Sequence, residues 1–203
     1  SSNQSIIISG SGVNLNKFKP AKLKAKNKII LMPARIVKSK GIYEFISAAE
    51  TLKGEANFVL CGDYDYEAKD YINSEVINYW VEKSVIKFIG FKKNVQNIIS
   101  NSTIIILPSY REGLPKVLCE AAACGIPVIT TDVPGCRDAI INGKTGILVP
   151  ARKSKELSNA IKRLLHDEML LKKMGKEGRK LAIKKFDVKK VVEKHLNIYE
   201  NKI

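Results

Sequence analysis

The chain has 203 residues, 45 % of them hydrophobic, enough to bury one substantial core and to read as one domain. Its net charge of +15 comes from 35 basic and 20 acidic residues, but aromatics are only 7 % of the chain and the lysine runs lack the repeated aromatics of a single-strand-binding surface, so nucleic acid is a poor partner. No run approaches the roughly 18 apolar residues of a membrane helix, and the start, SSNQSIIISGSG, lacks the basic and long apolar regions of a signal peptide; a cytoplasmic setting is expected, with Cys61, Cys119, Cys124 and Cys136 as reduced core residues lacking metal-like spacing.

Residues 1–27 read as a linker: one apolar triplet, Ile6 to Ile8, then GSGVNLNKFKP and a lysine-rich stretch. Lys17, Lys19, Lys22, Lys24, Lys26 and Lys28 form one basic segment, and the tail from Lys184 forms a second. Such runs are usually solvated faces; the sharper reading is a peripheral contact with an anionic membrane surface, at about 1 kcal/mol per nearby basic residue.

The domain proper, residues 28–185, opens with a strand over 28–32, the loop PARIVKSKG and a helix over about 41–53. Arg35 and Lys40 lie in that loop. Two cations at a strand's carboxyl end, next to a helix N-terminus, suit a diphosphate, where Arg grips oxygens bidentately and Lys acts as a point charge. On their own, two basic loop residues more often face solvent. A second strand over 57–61 ends in GDYDYE, in which Asp63 and Asp65 have the D-x-D spacing of a metal pair. Tyr71, Ile72, Val76, Ile77, Trp80 and Val81 recur at helical spacing, which predicts a helix over about 67–83 and makes the aspartates its entry residues rather than metal ligands. A third strand over 85–89 and a Gly90–Phe91–Lys92–Lys93 turn precede a short helix over 94–100.

The densest pattern follows, TIIILPSYREGLPKVLCEAAACGIPVITT over 103–131. Thr103 to Ile106 are β-branched and read as a strand buried on both faces. Ser109 to Gly113 break that pattern, Pro115 opens a helix, Gly125 closes it with a left-handed cap and Pro127 seals the stop. Residues 128–131 form the next strand, so the polar loop lies at the carboxyl end of a strand in a β-loop-α-β unit, where open α/β sheets hold ligands. Glu112 in the loop and Glu120 on the helix either face one ligand or are solvated helix-end carboxylates. A carboxylate accepts from two vicinal hydroxyls at once, and free N–H groups of Gly113 and Leu114 at the helix start suit anions and hydroxyls.

E-G-L-P-K-V-L-C-E-A, with LPSYREGLP, GIPVITTDVPGCRDAI and NGKTGILVP around it, resembles the E-x7-E segment of the retaining GT-B glycosyltransferases of family 4 (group 1). The resemblance implies a C-terminal, donor-binding Rossmann-like half, a doubly wound parallel α/β sheet, with an acceptor-binding N-terminal half elsewhere. It implies the diphosphate for Arg35 and Lys40, which match R-x4-K-G, and the ribose for Glu120. Glu112 would stand by the transferred sugar as the catalytic candidate, and Gly113 and Leu114 would offer N–H groups. Phe91 and Val95 match the turn that lies against the base. Gly12, Val13, Asn14, Phe18 and Pro20 match the segment following the hinge. No cofactor is implied, since protein cations replace a metal at the leaving diphosphate. The donor is expected to be a UDP-linked hexose or N-acetylhexosamine and the acceptor a glycan or lipid-linked saccharide, as in bacterial surface polysaccharide synthesis. Because the family's catalytic constellation spans both halves, residues 1–203 alone are expected to turn over nothing. A GT-B nucleotide-sugar 2-epimerase and a noncatalytic nucleotide-binding or membrane adaptor module are the alternatives.

Beyond the central unit, Arg137 either pairs with a carboxylate or reaches a phosphate, the former being preferred. Asn142 and Gly143 make a tight turn before a last strand over 146–149. From Ser154 the pattern is helical: Leu157, Ile161, Leu164 and Leu165 mark one amphipathic helix, and Met169, Leu170, Met174, Leu181 and Ile183 the next. Phe186 and Asp187 start a terminal helix, residues 186–203, which the resemblance identifies as the crossover helix. His166 and His195 read as structural.

Overall fold

A computed structural model describes residues 10–21 and 28–200; Ile6 to Ile8 and Lys22, Lys24 and Lys26 lie outside the described residues. Six strands, β1 (Ile29–Pro33), β2 (Asn57–Cys61), β3 (Lys87–Phe88), β4 (Ile104–Leu107), β5 (Val128–Thr131) and β6 (Gly146–Val149), form one sheet in the order β3-β2-β1-β4-β5-β6. Every pairing is parallel. Parallel neighbours need crossovers, which α1 (Ile42–Thr51), α2 (Ser74–Glu82), α3 (Val95–Ser100), α4 (Lys116–Ala123) and α5 (Pro134–Ala139) supply. After β6 come α6 (Ser154–His166), α7 (Glu168–Leu181), a π-helical turn over Ala182–Phe186 and α8 (Val188–Tyr199).

The strands are apolar throughout because both faces are covered. Ile30, Met32, Phe58, Leu60, Ile104 and Ile106 pack on one side with Phe45 of α1 and Ile161 and Leu164 of α6. Leu31, Val59, Ile105, Leu107 and Val128 pack on the other with Ile99 of α3 and Leu118 and Ala122 of α4. The alternation follows from the period-two direction of strand side chains, so one residue of slip would exchange the two cores.

Three elements differ from the pattern expected of the sequence. The helix expected over 67–83 begins at Ser74, with Asn73 capping it through Glu75 N–H. The preceding residues are held by the β1 loop instead: Ile36 N–H donates to Asp63 O at 2.9 Å and Lys38 N–H to Asp70 O at 2.8 Å. Tyr71 and Ile72 therefore lie in a loop, although Ile72 is buried. The third strand has two residues because Val85 N–H still closes the helix onto Trp80 O, at 3.0 Å. The chain between α7 and α8 leaves helical register at the π turn, where Phe186 is buried.

The described part of residues 1–27 is docked on the domain. Val13 N–H donates to Phe186 O at 2.6 Å and Val188 N–H returns to Val13 O at 3.1 Å. Val13 and Phe18 are buried in the α4 side of the core, and Arg179 donates to the carbonyls of Phe18 and Ala123 at 2.9 and 2.6 Å. Two apolar residues held by an Asn14-capped turn thus join a stretch whose composition reads as linker.

Candidate functional site

In the observed strand order the chain reverses direction across the sheet between β1 and β4, so the loops leaving these two strands splay apart and open a crevice. The loop after β1 ends in a 3-10 turn over Lys38–Lys40 and enters α1 through Gly41, whose φ is +79°. A Cβ there would lie 2.3 Å from Pro108 O, so only glycine lets this loop approach the end of β4 so closely. On the other side Gly135 of α5 sits against Gly113, where a Cβ would come within 1.1 Å of the Gly113 carbonyl oxygen. Backbone contact from both flanks therefore fixes the loop carrying Glu112.

Lys40 Nζ lies 2.5 Å from Glu112 Oε1, and both side chains are largely covered, at 19 % and 11 % exposure. Arg35 pairs with Asp65 in the open, its side chain 64 % exposed. Both cations expected at a diphosphate thus hold carboxylates, and the Lys40 partner is the carboxylate expected beside the sugar. Two hollows meet at Arg35. The smaller, of about 380 Å³, is lined by Arg35, Ser39, Lys40, Asp70, Arg111 and Glu112, with Gly113 at its edge. The larger, of about 720 Å³, is lined by Arg35, Phe91, Lys92, Val95, Lys116 and Glu120.

Glu120 is 9 % exposed on a helix of eight residues whose inner face is otherwise Leu118, Cys119 and alanines. Burial pushes its carboxyl above the ordinary value, and the charges of Lys116 and Lys17 oppose that rise. Burial likewise raises the neighbouring thiols Cys119 and Cys124 to about 12, so they are protonated and inert at neutral pH. Hydrogen bonds from Ser39 hold the Asp70 carboxyl below its usual range, with Arg111 adding to the effect.

The structure brings Arg35, Lys40, Glu112 and Gly113 together at one hollow and Arg35, Glu120, Phe91 and Val95 at the other. Phe91 is 65 % exposed at the rim. Leu114 is the exception among the expected residues. Its side chain packs against Gly10 beside a separate hollow of about 20 Å³ that Val13 and Phe186 also line, and it lines neither of the two larger hollows. Sequence reasoning missed Asp70, Arg111, Lys92, Lys93 and Lys116. Arg111 and Lys116 were within reach of it, one preceding Glu112 and the other one turn before Glu120 on α4. Asp70 gave no signal, since its place depends on how the 62–73 loop folds back over the β1 loop.

Asp63 and Asp65 do not share a ligand-like arrangement: Asp65 pairs with Arg35, while the Asp63 carboxylate accepts from Tyr64 N–H at 2.9 Å. Among the described residues no group of three or more His, Cys, Asp or Glu could hold a metal ion. Arg137 pairs with Asp132. His166 lies 2.8 Å from Glu55, and His195 bonds the Val191 carbonyl one turn back. All four cysteines are free and buried. Among the described residues no helix is long and apolar enough to cross a membrane.

The sheet order and the crevice at its switch point define a Rossmann-like α/β domain with a cleft at the carboxyl ends of its strands, where open α/β sheets hold ligands. The chain belongs to the glycosyl transferases group 1 family, whose profile matches residues 14–181, and its fold is that of the C-terminal half of a GT-B glycosyltransferase. It is 31 % identical, over 99 % of its length and 55 % of the relative's, to N,N'-diacetylbacillosaminyl-diphospho-undecaprenol alpha-1,3-N-acetylgalactosaminyltransferase of Campylobacter jejuni. The C-terminal domain of a glycosyl transferase group 1 protein from Francisella tularensis superimposes with a TM-score of 0.75 at 25 % identity, over 87 % of this chain and 99 % of that one. Anabaena HepE, solved with UDP and glucose, superimposes with a TM-score of 0.85 at 20 % identity, over 93 % of this chain and 55 % of that one. The chain spans about half the length of the curated relatives it matches.

Proposed function

We propose that this chain is the donor-binding half of a retaining glycosyltransferase that moves a hexose or N-acetylhexosamine from a UDP-linked donor to a hydroxyl of a glycan or lipid-linked acceptor. The observation that carries this reading is the pair of hollows joined at Arg35, one acid- and cation-lined and the other ending on a buried carboxylate. The diphosphate would lie across Arg35 and Lys40, exchanging places with Asp65 and Glu112. Cations take up the charge that builds on the departing nucleotide as the sugar–phosphate bond breaks, which is the part of the barrier preorganised charge lowers most. No metal is then required there. Glu112, released from Lys40, stands beside the reacting carbon, and N–H groups of Gly113 and Leu114 meet phosphate or sugar oxygens. Glu120 accepts from the two ribose hydroxyls, while Phe91 and Val95 border the base.

The C. jejuni relative is named for a diphospho-undecaprenol acceptor, which favours a lipid-linked saccharide and a surface polysaccharide role here. A peripheral contact with an anionic membrane follows naturally for a chain of net charge +15. The acceptor half lies in the remainder of the enzyme, so the 203 residues alone bind donor without turnover.

Calorimetric titration of UDP into this chain and its Arg35→Ala variant tests the site. Binding that weakens at least tenfold in the variant is expected; parent-like affinity would mean the site lies elsewhere. Transfer from a UDP-sugar to an undecaprenyl-diphosphate saccharide by the whole enzyme tests the reaction, and isomerisation of the donor without acceptor would assign it to an epimerase instead.

A further inference from the structure

We propose that Tyr110 is a positioning residue that locks the two loops of the site into one body, with Glu44 and Arg152 as its clamps. The proposal rests on the donor-site reading above for its functional consequence, but its geometry stands alone. Tyr110 is two residues before Glu112 in the loop after β4. Its N–H donates to Ser39 O at 2.8 Å, one residue before Lys40, so the chain segments bearing the Lys40–Glu112 pair are stitched immediately behind it. Its hydroxyl donates to both carboxylate oxygens of Glu44, at 2.8 and 3.0 Å, in the first turn of α1. The Arg152 guanidinium, from the loop after β6, covers the ring at 4.6 Å from the centroid.

Arg152 supplies the second observation. Its φ is +61°, making it one of two non-glycine residues with positive φ among those described. Side chains are disfavoured in that region, and glycine would fit without strain. The retained conformation places a cation on Tyr110, a contact glycine could not make, so the backbone cost at Arg152 is offset by what its side chain does there. Burial, reinforced by Glu44, raises the Tyr110 hydroxyl to about 12, so it remains a protonated donor at neutral pH. Elements from three parts of the sheet, α1, the β4 loop and the β6 loop, therefore converge on one ring.

The test compares Tyr110→Phe, Glu44→Ala, their double variant and Arg152→Gly in the 203-residue chain, reading thermal midpoint, amide hydrogen exchange over 109–113 and UDP affinity. Tyr110→Phe is expected to keep a parent-like midpoint, speed exchange at Arg111 to Gly113 and weaken UDP about three- to tenfold, less than the full worth of one charge-assisted hydrogen bond because Tyr110 acts on the nucleotide only through the loop it holds. Glu44→Ala should do the same, and the double variant should add nothing, because both remove one bond. Arg152→Gly should melt at or above the parent while binding UDP more weakly. Parent-like exchange in Tyr110→Phe overturns the tether, and faster exchange with parent-like affinity overturns its functional role. An Arg152→Gly chain that loses stability along with affinity would make the contact merely structural and overturn the proposal too. Should the parent itself fail to bind UDP, the donor-site reading falls, and exchange alone decides the tether.

Discussion

Replacing Glu120 by Gln sets nucleotide binding against folding stability, because the same carboxylate is proposed to serve one and burdens the other. The side chain is 9 % exposed, and burial raises its carboxyl above the ordinary value of 4.5. A group whose pKa is raised on folding contributes stability that is full below its unfolded value and is lost as pH rises through the folded one. From that ordinary value upward the ionised Glu120 is therefore held at a cost, which an isosteric neutral amide avoids. Glu120→Gln should melt at or above the parent near about pH 8, with the gap closing towards about pH 4. Binding should move the other way. Losing charge-assisted acceptance from two ribose hydroxyls costs about 1.5–3 kcal/mol, or roughly 10- to 150-fold in Kd. Scanning fluorimetry across this pH range and calorimetric titration of UDP measure the two effects. A variant that binds UDP as well as the parent, or one whose stability relative to the parent falls as pH rises, would refute the reasoning.

Lys40→Ala leaves the 11 %-exposed Glu112 side chain without its cation and should destabilise the fold by about 1–3 kcal/mol in denaturant melts. Adding Glu112→Gln should restore most of that loss without restoring UDP affinity, whereas a double variant as unstable as the single would contradict the pairing. Asp65→Asn removes the carboxylate that competes for Arg35, so UDP should bind up to about fivefold more tightly, the range of an exposed ion pair; weaker binding by calorimetry would show that Asp65 assists the nucleotide. Gly135→Ala drives a Cβ into the Gly113 carbonyl and should cost about 3 kcal/mol, lowering the thermal midpoint by roughly 6–12 °C, while an unshifted midpoint would show that α5 can withdraw freely.

The sheet was legible because runs such as IIIL and VITT are short, β-branched and bounded by Gly and Pro, leaving little choice but buried parallel strands. Spacing alone left Glu112 and Glu120 as solvated helix-end carboxylates and Arg35 and Lys40 as solvent-facing loop cations; the resemblance to the group 1 family is what singled these four out, and the structure places them around the two hollows. Composition hid the docking of residues 10–21, since Val13 and Phe18 are isolated apolar residues among glycines, asparagines and lysines. Helical periodicity misplaced the start of α2: Ile72 is apolar at the right spacing, yet it is buried by a loop bonded to Ile36 rather than by a helix. The direct Lys40–Glu112 contact and the Glu44–Tyr110–Arg152 convergence could not be read at all, because each joins loops and a helix that follow different strands, whose adjacency depends on the sheet order.

A crystal structure of this chain with UDP tests the central claim most directly. The account predicts the diphosphate on Arg35 and Lys40, the ribose hydroxyls on Glu120, the base against Phe91 and Val95, and the Lys40–Glu112 pair opened. UDP held away from the crevice between the β1 and β4 loops, with that ion pair intact, would contradict it.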